Sequence, residues 1–346
     1  MSEHIFNMWY MDPIYKRPLI SVIVPVFNSA ATIDRCVRSL LSQTYSNLEV
    51  ILIDDGSKDE SLLICKNYAE FDERVVVLSQ ENGGAGAARN SGLRVMHGDF
   101  VGFCDSDDYV EPTMYEHLFE ALVQNGADVS CCGRSDHYDL VVSPGLCPNE
   151  REAVSGIDAL RKIFVYDGMD FAPWDKLFSR SIWGATLFPE GRICEDIGCL
   201  YNVFKKAKTV ALINERLYHY CHRISSASEI GLGPRVFDFQ HYAGIIYRDV
   251  IEEIPSLEPL AAKFRIKSLL YTIGFIYRAT KKEYKPYRGK LYSFVREVRF
   301  FFPKMGKKEK IISFLYTTHA LRCLRPVYYL YQIMSGKKRR KAQQES

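Results

Sequence analysis

Residues 18–57 read PLISVIVPVFNSAATIDRCVRSLLSQTYSNLEVILIDDGS, two strand patterns on either side of one helix pattern. The runs Ile20–Pro25 and Leu48–Asp54 are continuous and rich in Val and Ile rather than alternating, which is how strands buried on both faces read. Between them, Ala30–Gln43 spaces its apolar residues for a helix. The alternation continues through strand patterns at Val75–Ser79, Phe100–Cys104 and Asp128–Cys132, with helix patterns at Glu60–Phe71, Ala85–Met96 and Met114–Asn125. Strand–helix–strand repetition at this pitch predicts an α/β fold with a mostly parallel central sheet and helices on both faces. Ligands in such sheets sit beyond the carboxyl ends of the strands.

Downstream the pattern weakens. Ser135–Asp170 reads as loop plus one helix near Ile157–Tyr166, followed by a helix over Glu195–Lys206 and short strands at Thr209–Ile213 and Leu217–Cys221. After Arg235 the chain reads as helical to about Met334, broken around Pro303–Lys308. The overall charge of +3 conceals an asymmetry: from Ala261 onward 22 Lys and Arg face 4 Asp and Glu, a surplus of +18, so residues 1–260 carry −15. An acidic body with a basic tail predicts different partners for the two parts. The N-terminus lacks a basic segment followed by an apolar one, and no stretch reaches the ~18 uncharged apolar residues of a membrane span, so the expected location is the cytoplasm. The ten cysteines have no regular spacing. Cys194 with Cys199, or His219, Cys221 and His222, lack the paired spacing of a zinc site, so the cysteines read as core or reduced thiols.

Three strand ends are polar where a ligand should lie: Pro25-Val26-Phe27-Asn28, Asp54-Asp55-Gly56-Ser57, and Asp105-Ser106-Asp107-Asp108. Helix capping would account for Ser57 or Asp59 alone. It does not account for three acids in four residues, because clustered carboxylates raise one another's pKa unless a cation is near. Hard oxygen ligands beside a diphosphate suit Mg²⁺ or Mn²⁺.

Taken in order, Ser21-Val-Ile-Val-Pro25-Val-Phe27-Asn28, Gln43-Thr44-Tyr45, Asp54-Asp55-Gly56-Ser57, Asn82-Gly83-Gly84 with Ala88-Arg89-Asn90, and Asp105-Ser-Asp107-Asp108 resemble the nucleotide-binding half of the family 2 glycosyltransferases. The resemblance continues more thinly through Trp174-Asp-Lys176-Leu-Phe178, Glu195-Asp196 and Tyr218-His-Tyr-Cys-His-Arg223, and covers about residues 18–228. It implies the GT-A fold, a Rossmann-like sheet, with an N-terminal extension at 1–17. A catalytic domain at 18–234 (nucleotide-sugar half 18–133, acceptor half 134–234) would precede a basic helical extension at 235–346. It also implies roles. Pro25, Phe27 and Asn28 would line the nucleotide site, Phe27 against uracil, with Asp54 or Asp55 accepting from the uracil imide. Arg89 would add positive charge near the nucleotide, unless it is a surface helix cation. Asp105 would approach the ribose and the metal. Asp107 would hold the metal, and Asp108 would be a second ligand or a structural cap. Asp196 would be the general base, with Glu195 the less favoured choice. Trp174 and Lys176 would line the acceptor side or touch the donor, unless Trp174 sits in the core, and Arg223 would reach the diphosphate. His219 or His222 would complete the metal site only if neither is simply packed.

The expected reaction is inverting transfer from a UDP-sugar with Mn²⁺ or Mg²⁺ onto a saccharide or lipid-linked saccharide hydroxyl, in polysaccharide or glycolipid assembly. Two alternatives stand beside it: an inactive nucleotide-sugar binding module, and a sugar nucleotidyltransferase. The second would want a basic Gly-rich loop where Pro25-Val-Phe-Asn28 stands. In the tail, Leu291, Phe294, Val295, Val298, Phe301 and Phe302 fall on one helical side with Arg288, Arg296 and Arg299 largely opposite. Such basic amphipathic helices suit an anionic leaflet, which predicts peripheral attachment to the inner face of the cell membrane. Aromatic nucleic-acid platforms are absent, so no nucleic-acid partner is expected. A homodimer is left open.

Overall fold

A computed structural model describes residues 17–138, 141–222, 233–278 and 285–301, with Pro303 and Lys310. The chain divides into two compact units between Glu229 and Ile230.

The first unit opens with the predicted alternation: β1 (Ile20–Val26), α1 (Ile33–Leu41), β2 (Leu48–Asp54), α2 (Ser61–Phe71), β3 (Val75–Ser79), α3 (Ala85–Val95) and β4 (Phe100–Phe103). It continues through β5 (Tyr109–Val110), α4 (Met114–Gln124), β6 (Val129–Tyr138), β7 (Val141–Pro144), β8 (Glu152–Val154), α5 (Gly156–Val165), β9 (Lys176–Ser179), α6 (Arg180–Trp183), α7 (Glu195–Lys206) and β10 (Val210–His222). One sheet runs β3-β2-β1-β4-β9-β6-β10-β5, with β7 on β6 and β8 on β10. Strands β1 to β4 are parallel. Strand β9 enters antiparallel between β4 and β6, and β10 then runs parallel to β6.

Buried residues alternate between two faces, as a covered sheet requires. Ile20, Val22, Val24 and Val26 of β1 join Val37 and Leu40 of α1 and Leu118 and Leu122 of α4 in one core cluster. Toward the other face, Ile23 meets α3. A Cβ on Gly92 would lie 2.4 Å from Ile23 Cγ2, so only glycine lets α3 settle this close. Phe103, Phe178, Trp183 and Phe188 form an edge-on aromatic cluster, with centroids 5.3–6.1 Å apart among most pairs. Pro25 falls beyond the last β1–β4 pair, Ile23–Phe103, where a central strand can do without its N–H.

The region expected as loop differs. Strand β6 runs on to Tyr138, and β7 and β8 pair at the margins of the sheet. As edge strands they carry no buried run: Val141 and Val142 are 60% and 61% exposed, so the apolar signal of a central strand is missing. The two short strands expected at 209–221 are one strand, β10. Its register shifts between Leu212 and Arg216 and again before Tyr218, where Asn214-Glu-Arg interrupts the apolar pattern.

The second unit holds α8 (Asp238–Glu253), α9 (Glu258–Arg278) and α10 (Arg288–Phe301). Phe237, Ile266, Leu269, Ile273, Leu291, Phe294, Val298 and Phe301 share one core. Arg265 ties the three helices: its Nε donates to Glu297 at 2.7 Å and its Nη1 to Gln240 Oε1 at 2.9 Å. The apolar side of 288–301, expected against a leaflet, is therefore spent inside this unit. Tyr292, Arg296, Arg299 and Phe300 are among the residues of α10 that stay exposed. Ile311–Met334 and Phe302 lie outside the described residues. Among the described residues no helix is long and apolar enough to cross a membrane.

Candidate active site

The polar strand ends converge beyond the carboxyl edge of the parallel sheet. At the end of β1, Asn28 takes a left-handed φ of 48°, and its Oδ1 accepts from Lys58 N–H at 2.8 Å. The turn leaves the Phe27 ring 47% exposed beside it, free to meet a flat ligand. At the end of β2, Asp54 and Asp55 are both buried. Asp54 accepts from Ser57 N–H at 3.3 Å and Ser79 hydroxyl at 3.1 Å. Asp55 accepts from Gln80 Nε2 and from the N–H groups of Gly83 and Gly84, at 2.8–2.9 Å. Asp55 therefore shapes the Asn82-Gly83-Gly84 loop that opens α3. A carboxylate has about four acceptor positions, so each retains capacity for one more donor.

At the end of β4 the three acids separate in function. Asp108 is fully buried; its Oδ2 accepts from the Tyr218 hydroxyl at 2.6 Å and its Oδ1 from Cys221 N–H at 2.7 Å. It is the structural cap of the two alternatives, pinning β5 and β10 to the β4 turn, and not an open ligand. Burial, then the charges of Asp105 and Asp107, raise its pKa well above the usual carboxylate range. Asp105 pairs with Arg89 Nη2 at 2.8 Å. Asp107 is half-buried, and its carbonyl accepts from Arg35 Nη2 at 2.7 Å.

No group of three or more His, Cys, Asp or Glu among the described residues could by itself hold a metal. His219 is bonded to Glu111 at 2.7 Å and to His137 at 2.8 Å, and stacks on Tyr109. His222 stacks on Tyr138. Both are packed histidines. What fits a divalent ion is a site with one or two carboxylates, Asp107 and the remaining oxygen of Asp105, completed by phosphate oxygens and water. That is the ordinary mode of Mg²⁺ at phosphate sites.

Across the site, α7 begins after Cys194, which turns the chain through a left-handed φ of 56°. Glu195 and Asp196 occupy the first turn. Arg89 Nη1 donates to Glu195 Oε1 at 2.6 Å, so one buried guanidinium spans Asp105 and Glu195. Burial works against its charge, but Asp105 and Glu195 outweigh it and Arg89 stays protonated. Asp196 Oδ1 accepts from Ile197 N–H at 2.8 Å. Burial first, and then the Glu195 charge, push the Asp196 carboxyl up to about 7. A carboxylate poised there accepts a proton near neutral pH, as a general base must.

Trp174 lies in the core, 7% exposed, stacked on Tyr218 and Tyr220 at 4.3 and 5.4 Å. Arg223 lies outside the described residues. Lys176 is not the ligand contact expected of it, and Arg134 was not foreseen. Lys176 is wholly buried on Asp175, at 2.5 Å, and on the Ala172 carbonyl. Arg134 sits over the Trp174 and Tyr220 rings and pairs with Asp136 at 3.1 Å and Asp170 at 2.7 Å. The available signal was a charge next to the buried Val129–Gly133 run, but it needs the β6 extension to be read.

The family description "Glycosyl transferase family 2" matches residues 21–182. Over 218 residues the chain is 34% identical to the glycosyltransferase GlyG of Streptococcus pneumoniae, covering 60% of this chain and 72% of that one. The chain belongs to the family 2 glycosyltransferases. It is also 35% identical to the glycosyltransferase EpsJ of Bacillus subtilis over 63% of this chain, and the match spans 65% of EpsJ, just under two thirds of its length. Staphylococcus aureus TarS residues 1–349, solved with UDP-GlcNAc, superposes with a TM-score of 0.69 at 21% identity, covering 90% of this chain and 91% of that one. This likeness establishes the GT-A fold for a family 2 glycosyltransferase that continues into C-terminal helices.

Proposed function

We propose that the chain is an inverting glycosyltransferase that uses a UDP-sugar and a divalent cation, Mn²⁺ or Mg²⁺. The observation that carries this is the bridge from Asp105 through Arg89 to Glu195, which holds the β4 acids and the Asp196 base in one site. The UDP-GlcNAc bound by TarS supports a UDP-sugar as donor. Phe27 stacks the base, Asp54 or Asp55 receives the imide N–H, and Asp107 with Asp105 holds the cation. When bound, that cation neutralises charge on the departing diphosphate. Asp196 takes the proton of the acceptor hydroxyl as its oxygen bonds to the anomeric carbon. The bond from that carbon to the UDP oxygen breaks on the opposite face, so the centre inverts.

The acceptor is a saccharide or lipid-linked saccharide, in polysaccharide or glycolipid assembly. The exposed Tyr292, Arg296, Arg299 and Phe300 of α10 favour contact with an anionic leaflet, because ring and guanidinium together suit the headgroup layer.

Hydrolysis of a panel of nucleotide sugars, with and without Mn²⁺, tests the proposal. Expected is Mn²⁺-stimulated cleavage of one or more UDP-sugars that Asp196→Asn slows. UDP-sugar binding with no cleavage would favour the inactive module, and pyrophosphate-dependent UTP release would favour the nucleotidyltransferase.

A further inference from the structure

The turn Gly86–Asn90 of α3 makes a set of contacts that nucleotide binding does not need. Asn90 Nδ2 donates to the Phe188 carbonyl and to Glu190, both at 2.9 Å, and its Oδ1 accepts from Phe188 N–H at 2.8 Å. A Cβ on Gly86 would lie 2.8 Å from the Pro189 carbonyl and 3.1 Å from Glu195 Cγ, so α3 and this segment touch backbone to backbone. Arg89 lies over the Phe188 ring at 5.4 Å and binds Glu195. All three residues grip 188–195, the stretch that leads into Asp196. On its opposite side α3 is seated on β1 through Gly92 and Ile23.

We infer that Arg89 is a positioning residue, which with Gly86 and Asn90 holds the base-bearing segment 188–196 against the donor side of the site, and is not a ligand of the nucleotide. Both Nη atoms are committed to carboxylates and the side chain is 6% exposed. The remaining Nε is buried as well, so the guanidinium offers a phosphate almost no exposed N–H. The inference rests on Asp196 being the base. Asp196 is faced by Glu195, Arg89, Asp170 and Tyr166, and Arg89 is the cation among them.

The experiment compares Arg89→Met and Arg89→Lys with the unmodified chain, using UDP plus Mn²⁺ as the binding probe and the fastest-cleaved UDP-sugar as substrate. A misplaced base costs on the order of 10² in rate. We expect turnover of Arg89→Met to fall by about that factor while UDP affinity stays within about threefold. Lys, which keeps the charge but reaches one carboxylate rather than two, should recover roughly tenfold of the loss. Without the guanidinium the acid limb of the pH–turnover profile should move up, because the attraction that favours ionised Asp196 is gone. Amide exchange over 188–197 should quicken in Arg89→Met. UDP affinity that falls in step with turnover, with the pH limb and exchange unmoved, makes Arg89 a nucleotide contact and overturns the inference. Unchanged turnover overturns it as well. If the Met variant does not fold, the Lys variant decides by the same readouts. Near-normal turnover of Asp196→Asn would instead remove the base assignment, and the exchange result would still report whether Arg89 holds the segment.

Discussion

Replacing Asp196 by Asn should make the protein slower and, above neutral pH, more stable. The carboxyl titrates at about 7 in the folded chain, against about 3.9 unfolded. The folded state therefore holds an extra proton between roughly pH 4 and 7, so stability falls as pH rises through that window and the full cost is present above 7. Three pH units correspond to about 4 kcal/mol at most, and solvent access to this half-buried group reduces the net to about 1–3 kcal/mol. Asn keeps the shape and the acceptor for Ile197 N–H but never ionises. Thermal unfolding of the first unit should thus shift upward at pH 8 by about 2–4 °C per kcal/mol, with little change at pH 5, while turnover falls at least ~10²-fold. A variant that is equally destabilised at both pH values would refute the burial-and-repulsion account of Asp196. Near-normal turnover would refute its role as base.

Asp107→Ala should abolish Mn²⁺-dependent UDP binding with the fold intact, and calorimetry that shows unchanged affinity would remove Asp107 from the metal site. Gly86→Ala forces a Cβ against the Pro189 carbonyl, so urea denaturation should show a loss of about 1–3 kcal/mol. Lys176→Ala strands buried Asp175 and should cost about 3–5 kcal/mol, whereas Lys176→Met with Asp175→Leu should cost much less. For the membrane proposal, Arg296→Glu with Arg299→Glu should release the protein from anionic liposomes without unfolding α10, since neither residue is in the helical core. Flotation that is unaffected by the pair would discard this face.

Most of the first 130 residues were legible because each central strand is buried on both faces and so prints an uninterrupted Val/Ile run. The three strand ends were legible for a related reason: polar residues that stop such a run have to be doing something at its edge. Two of the hidden strands lie at margins, and a third is short. Strands β7 and β8 pair along one side and face solvent, so no apolar period marks them. Strand β9 is only Lys176–Ser179, and its first residue is a buried charge that the motif reads as a ligand contact. Roles within the site were hidden too. Asp107 and Asp108 are neighbours of one type, yet one is half-exposed and the other is sealed by Tyr218 and Cys221, partners more than a hundred residues away. Trp174 reads by motif as either a ligand contact or core, and its stacking on Tyr218 and Tyr220 decides for core. In the tail, periodicity identified the apolar side of α10 correctly and could not say that α8 and α9 would cover it.

The antiparallel strand β9 bears on how new specificities arise. It pairs with β4 on one side and β6 on the other, so the stretch between β6 and β9, which adds β7 and β8 to the sheet's margins and α5, returns to a gap already framed. That excursion behaves as a cassette. Its length and sequence can drift, or be exchanged between relatives in a chimera joined within β6 and β9, while the strands that lead to Asp54 and Asp105 keep their neighbours. The segment 188–196 has no such freedom, because it answers to α3. A chimera that exchanges the stretch between β6 and β9 should therefore carry 139–175 as one piece and inherit 85–90 and 188–196 together from a single parent.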